Sequence, residues 1–312
     1  MMPLRPEAYA RALPLLEEPF FNVLFARAVL ERRVRGAVHA DHPVRPRVAH
    51  ILHPCGMSLL CGAPPPAGAM DTITGYLLDR LGRRSAVEML QAHPGAWHDR
   101  LGRSLGPRLQ QGPRGPGSPE GASLRPPAVD RVVQFGRVNF RFDPGAFEAL
   151  APRPLPEGLS VARAGAEAFA PWEGAVLPRS FWDSPGDFAR DGAAFAVRDG
   201  ARLLAVAFSA WIVGGALEIG IETAAGARRA GLATHACSAL IRHCLERRLL
   251  PVWSAHSHNL GSHALAEKLG FRRTYEVPYY ALAARARDAA PIPQGPSYWE
   301  QLGEPAATGA SC

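Results

Sequence analysis

The sequence predicts an α/β chain of the α+β kind. A mixed central sheet flanked by helices is expected over 155–286, preceded by a smaller α+β domain over 1–150 and followed by a Pro/Gly/Ala-rich tail over 287–312. Three observations carry this. The C-terminal half alternates stretches of period-two and helical hydrophobic spacing in the order β-α-α-β-β-β-α-β-α-β. The pairs Asp199-Gly200 and Gly214-Gly215 are tight-turn signals between consecutive strands. A loop of Gly, Ala and Arg, Ala224–Gly231, joins a half-buried strand to a long amphipathic helix.

The elements follow in order. Apolar residues from Phe20 to Leu30 recur at helical spacing. Val38–Asp41, Val48–Leu52 and Met57–Cys61 read as short strands broken by Pro and Gly. Leu77–Gln91 and Trp97–Leu105 read as helices, and Arg131–Phe142 as a strand. The segment Gly102–Pro127 is too rich in Gly and Pro for a regular element, and Ala151–Gly158 (APRPLPEG) reads as a linker. Leu159–Arg163 is a strand. Ala164–Phe181 and Ser184–Arg190 carry one or two helices, the second with Ser184 as N-cap and Pro185 at its first position. Strands Phe195–Arg198, Leu203–Ser209 and Leu217–Thr223 follow, then a helix from Leu232 to Arg247. Strand Leu250–Ala255, Asn259, a short helix ending in Lys268-Leu269-Gly270-Phe271 and strand Arg273–Leu282 complete the region. No internal repeat of fixed period is visible. Tyr298-Trp299 is the one aromatic pair of the tail.

Composition excludes several classes. No apolar run reaches the roughly 18 residues of a membrane span, and the acidic N-terminus lacks an export signal, so a cytoplasmic protein without membrane contact is expected. The net charge of +7 comes almost wholly from scattered Arg, Lys268 being the one lysine. That pattern does not predict nucleic-acid binding. Five cysteines, an odd number, argue against a disulfide framework, and Cys237 and Cys244 share a helix face. His39, His42, His50 and His53 fit no zinc spacing, so no metal is expected.

The chemistry concentrates in Ala216–Phe271. A strand feeding a helix N-terminus through small residues presents free N–H groups and a positive helix end to an anion. The string Arg228-Arg229-Ala230-Gly231-Leu232-Ala233 fits R-x-x-G-x-A. With the strand LEIGIET, the run PVWSAHSHNLGSHALAEKLGF and Asn259, the chain resembles the GNAT superfamily of N-acetyltransferases, in particular its two-domain group that includes the zwittermicin A resistance acetyltransferase. The likeness covers about 20–285 and is specific from 216 to 271.

That resemblance implies acetyl-CoA as cofactor. It implies that strands Leu217–Thr223 and Leu250–Ala255 splay apart around the pantetheine arm. The backbone of Ile221 and Thr223 would bind the pantetheine amides as an added strand would. The loop Arg228, Arg229, Gly231, Ala233 and Thr234 would hold the pyrophosphate, and Asn259 would bind the cofactor from the second strand. Acetyl transfer to an amine needs a base, an oxyanion donor and a leaving thiolate. Glu218 and Glu222 lie two residues to either side of Gly220 and point to one face; Glu218 is preferred as base and Glu222 is second. A backbone N–H near Ile221 is the expected oxyanion donor. The family's usual Asn-x6-Tyr spacing falls on Ala266, which cannot donate a proton, so His256 or Tyr279 serves as acid or the thiolate leaves unaided. Trp182 and Asp183 are expected to shape the acceptor pocket, with Glu173 a further acid for a cationic amine. The acceptor is expected to be a small amine. A non-catalytic acyl-CoA sensor and a protein N-acetyltransferase are the alternatives.

Overall fold

The computed structural model describes residues 1–17, 21–112, 128, 130–151, 154–169 and 176–284. Glu173, most of the Gly102–Pro127 segment, the tail 287–312 and Cys312 lie outside the described residues.

Strands β1 (Met2–Pro3), β2 (Ala37–Ala40), β3 (Val48–Leu52), β4 (Met57–Gly62) and β5 (Glu88–His93) come first, with helices α1 (Leu24–Leu30), α2 (Met70–Leu77) and α3 (Ala96–Leu105). Next are β6 (Leu109–Gln111), β7 (Val132–Phe142), α4 (Pro144–Glu148), β8 (Leu159–Arg163) and α5 (Pro185–Asp191). Then come β9 (Ala194–Asp199), β10 (Arg202–Val213), β11 (Ala216–Thr223), α6 (Leu232–Glu246), β12 (Leu250–His256), α7 (Leu260–Lys268) and β13 (Phe271–Leu282). A mixed sheet with flanking helices is therefore present, as the sequence predicts.

Contacts divide the chain into two units. Among the described residues, one comprises 1–17, 29–112, 128, 130–137 and 277–284; the other comprises 21–28, 138–151, 154–169 and 176–276. Divisions between the units fall inside α1, β7 and β13. Sequence order alone does not show this, because strands late in the chain complete sheets begun earlier.

In the first unit the strand order is β1-β2-β3-β4-β5-β13. β4 and β5 run parallel, paired at five positions from Met57↔Met89 to Cys61↔His93. Residues 77–91, expected as one helix, are instead the end of α2, a turn and β5. The helix stops where Asp79 takes a left-handed φ of 49° and its carboxylate accepts the N–H groups of Arg83 and Arg84. Glu88, Leu90, Gln91 and Ala92 are all buried, so β5 carries no polar face to betray its period.

In the second unit the order is β7-β12-β11-β10-β9-β8. Asp199-Gly200 joins β9 to β10 and Gly214-Gly215, at φ 60° and 74°, joins β10 to β11. α6 buries Leu232, Ala236, Cys237, Leu240, Ile241 and Cys244, a helical stripe that packs on Val197, Ala205, Ala207, Leu217 and Ile219. Burial raises both thiols, that of Cys244 to about 12. The other face is covered by Ala168, Trp182 and Phe188 packed on Ala194, Ala196, Val206 and Phe208. Over 164–181 the described residues form two 3-10 turns, Ala166–Ala168 and Pro178–Ser180, not an α-helix. The turn after Gly165 and the one opened by Pro178 each close after three residues. Ser184 caps α5 as expected, its hydroxyl accepting from Asp187 N at 3.0 Å.

Candidate active site

β11 and β12 pair in parallel at only three positions, Ala216↔Leu250, Leu217↔Pro251 and Glu218↔Val252. β11 continues to Thr223 along β10, where Ala224 N–H donates to Leu204 O at 2.9 Å. Backbone groups alternate along a strand, so those of Ile221 and Thr223 face the opposite edge, from which β12 has departed. The expected parting of two central parallel strands is thus present, and Glu218 stands at its apex.

The loop beyond β11 is exposed. Arg229 and Gly231 both adopt left-handed backbone, at φ 64° and 78°. Gly231 is the N-cap of α6; no side chain caps that end, and a Cβ built on Gly231 meets nothing within 4 Å. Left-handed backbone is the reason glycine suits this position. Thr234 N–H donates to Gly231 O at 3.0 Å, and the Thr234 hydroxyl accepts from Lys268 Nζ at 3.2 Å. A helix end with its first amides uncapped, an open left-handed glycine and a lysine at the first turn suits an anionic diphosphate. Thr223 is more occupied. Its N–H donates to Glu222 Oε1 at 3.2 Å and its carbonyl accepts from Arg228 Nε at 3.3 Å.

The two carboxylates differ. Glu222 is engaged with its surroundings: Oε2 accepts from Val176 N at 3.0 Å and Oε1 from Arg228 Nη2 at 3.5 Å. Glu218 is 5% exposed and accepts the Ser254 hydroxyl on Oε1 at 3.1 Å. Ser254 in turn accepts from Asn22 Nδ2 at 3.1 Å. Neither Ser254 nor Asn22 was singled out from sequence. Ser254 was within reach of the alternation in PVWSAH, where Trp253 and Ala255 are the buried partners. Asn22 lies 232 positions away and carries no local signal.

The remaining expected residues sit as follows. Trp182 is buried, and its indole N–H donates to Ser209 O at 2.7 Å, beside the bulge between Ser209 and Trp211. Phe181 packs its ring on Phe208 and Trp211, at 5.7 and 5.1 Å between centroids. Asp183 is exposed. Asn259 caps α7, its side-chain oxygen accepting from Ser262 N at 3.1 Å. Ala266, at the usual tyrosine spacing, is fully buried. His256 is half-buried, and its carbonyl accepts from His263 Nε2 at 2.9 Å. Tyr279 belongs to the first unit and is buried under the Arg137 guanidinium, 5.2 Å from its ring centre. No helix among the described residues is long and apolar enough to cross a membrane.

A family model described as GNAT acetyltransferase matches residues 148–280. The uncharacterized N-acetyltransferase YdfB of Bacillus subtilis (strain 168) is 25% identical over 258 residues, covering 82% of this chain and 89% of that protein. Among solved structures, a GCN5-related N-acetyltransferase-like protein from Streptococcus suis 89/1591 superposes with a TM-score of 0.63 at 21% identity, over 89% of this chain and 100% of the other. A tandem GNAT protein from the clavulanic acid biosynthesis pathway, without AcCoA, superposes with a TM-score of 0.55 at 14% identity, over 92% and 99% of the two chains. These two likenesses concern the fold. Residues 148–280, a little under half of the chain, thus match the GNAT acetyltransferases, an acyltransferase family.

Proposed function

We propose that the chain is an acetyl-CoA-dependent N-acetyltransferase that acts in the cytoplasm on the amine of a small molecule, an antibiotic or an amino metabolite. The observation that carries this reading is the parting of β11 from β12 beyond Glu218↔Val252, with the left-handed loop Arg229–Gly231 past the end of β11. The open edge of β11 at Ile221 suits the pantetheine amides, and the uncapped start of α6 suits the diphosphate. The N–H groups of Arg229, Gly231 and Ala233 and the Thr234 hydroxyl would hold the phosphates, with Lys268 and Arg228 adding positive charge. Asn259 would contribute from the β12 side, and Trp182 and Asp183 would border the acceptor.

Bound acetyl-CoA supplies an activated thioester. Glu218 takes the proton that the acceptor ammonium must lose before attack. A backbone N–H near Ile221 donates to the developing oxyanion, an interaction that strengthens as charge appears. Glu222, tied to Val176 and Arg228, keeps the loop in place and is the second choice for base. Ala266 offers no proton to the departing thiolate, which leaves unaided or is served by His256.

The test has two stages. Calorimetry should show acetyl-CoA binding, with a rise in Tm because the ligand binds the native state. No binding at millimolar concentration sinks the cofactor assignment. Thiol release is then followed against a panel of small amines and peptide N-termini. Binding without release from any acceptor favours a sensor, the reading to which the buried Ala266 lends weight. Release with peptides alone redirects the acceptor to protein.

A further inference from the structure

We infer that Ser254 and Asn22 position Glu218, fixing its carboxylate through a one-directional chain of hydrogen bonds. This rests on the reading of Glu218 as the base. The direction of the chain follows from its anchor. Asn22 N–H donates to Asn139 Oδ1 at 2.9 Å, and Asn22 Oδ1 accepts from Leu24 N–H at 3.0 Å. With its oxygen already used by a donor, the Asn22 side chain turns its amide nitrogen to Ser254. Nδ2 donates to Ser254 Oγ at 3.1 Å. A serine hydroxyl has one proton to give. That proton goes to Glu218 Oε1 at 3.1 Å. Each member therefore donates towards the carboxylate, and the chain ends on an acceptor.

The anchor is itself fixed. Asn139 is buried, and its carbonyl accepts the Thr274 hydroxyl at 2.9 Å. Asn22 is thus tied to β7 and to the start of α1, and Ser254 lies on β12, the strand that leaves β11 just past Glu218. Just past the last backbone pair, Glu218↔Val252, the two strands are linked by the side chains of Glu218 and Ser254. A buried carboxylate on a flexible side chain has several rotamers open to it. A donor from across the gap selects one of them before any acceptor arrives.

The test measures kcat, the acetyl-CoA Kd and the coupling between variants. Ser254→Ala should lower kcat by about tenfold to a hundredfold, the range for a lost hydrogen bond to a charged group. The acetyl-CoA Kd and far-UV circular dichroism should stay at wild-type values. Ser254→Thr, which keeps the hydroxyl, should restore most of the rate. Asn22→Ala should give a smaller loss of the same kind. In the Glu218→Gln background, Ser254→Ala should cost little more, because the group it positions is gone. A wild-type kcat for Ser254→Ala beside an inactive Glu218→Gln overturns the inference and leaves the base assignment standing. Full additivity of the two losses also overturns it. Full activity of Glu218→Gln overturns the base assignment beneath it.

Discussion

Replacing Glu88 by Gln should remove about 3 kcal/mol of stability at pH 7, and this loss should disappear in acid. Glu88 is buried in the first unit and holds four partners. Its Oε1 accepts from Ser58 Oγ and meets His50 Nε2 at 3.2 Å, while Oε2 accepts from Tyr76 at 2.6 Å and from Arg84 Nε at 3.2 Å. Burial alone would raise the carboxyl, but the bond to His50 and the charge of Arg84 outweigh it, so its pKa falls from 4.5 to about 2. At 1.36 kcal/mol for each tenfold change, that fall is worth about 3 kcal/mol of folded-state preference for the ionised form. A second route gives a similar figure, since removing one partner of a buried ion pair costs about 3–5 kcal/mol. Arg84 would keep its bonds to the carbonyls of Tyr76 and Ala283, which favours the lower end. Because the folded pKa is depressed, the stability is fully present above about pH 4.5 and is lost as pH falls towards 2. His39 also loads the acid limb: burial and the neighbouring His50 hold its pKa near 3, so acid must charge it. The charge of Glu88 raises the His39 pKa only slightly, less than burial and His50 lower it, so most of that contribution is common to both proteins. Urea titrations of wild type and Glu88→Gln from pH 7 to pH 3 measure the difference directly. A gap under 1 kcal/mol at pH 7, or one that stays constant into acid, refutes the electrostatic account.

The other expectations concern the second unit. Gly231→Ala should cost about 1–2 kcal/mol for left-handed backbone, with no clash, while Gly231→Glu should abolish acetyl-CoA binding with the fold retained; calorimetry and thermal melts separate the two, and an unchanged Kd for the Glu variant places the phosphates elsewhere. Glu218→Gln should lower kcat by roughly 10²- to 10⁴-fold with the acetyl-CoA Kd kept, and Glu222→Gln by much less; the reverse order would exchange their roles. Gly220→Ala should destabilise by about 1–3 kcal/mol, because its Cβ would stand 2.5 Å from the Phe208 ring, and a neutral melt would show that this ring yields.

What was legible in the sequence follows the range of the forces involved. Asp199-Gly200, Gly214-Gly215 and the Ser184 cap are local chemistry, and each stands where local rules put it. The loop before α6 was legible for the same reason, since a left-handed Gly231 and an uncapped helix end are encoded within a few residues. β5 was not, because a strand buried on both sides has no alternation to display, and Leu77, Leu78, Leu81, Val87 and Leu90 imitate a helix. Asn22 was invisible for a different reason. Its bonds reach Asn139 and Ser254, 117 and 232 positions away, and no window on the sequence spans them.

The structure also reveals a repetition that the residues conceal. The first unit runs β2-β3-β4-α2-β5-α3 and the second runs β9-β10-β11-α6-β12-α7, each with antiparallel strands followed by a parallel pair around a helix. The two differ at the feature a pantetheine arm would need. β4 and β5 stay paired to Cys61↔His93, whereas β11 and β12 part after Glu218↔Val252. The loops differ in the same sense. Between β4 and α2 stand Pro64-Pro65-Pro66, three residues with no N–H to offer a phosphate, where the second unit has Arg228-Arg229-Ala230-Gly231. A strand pair that stays closed and a loop that opens on three prolines deny the first unit the parted strands and the donor-rich loop of the second. Calorimetry should therefore give one acetyl-CoA for each chain, lost on Gly231→Glu. A stoichiometry of two, or one that survives Gly231→Glu, would show that the parted strands and their loop are not what selects the cofactor.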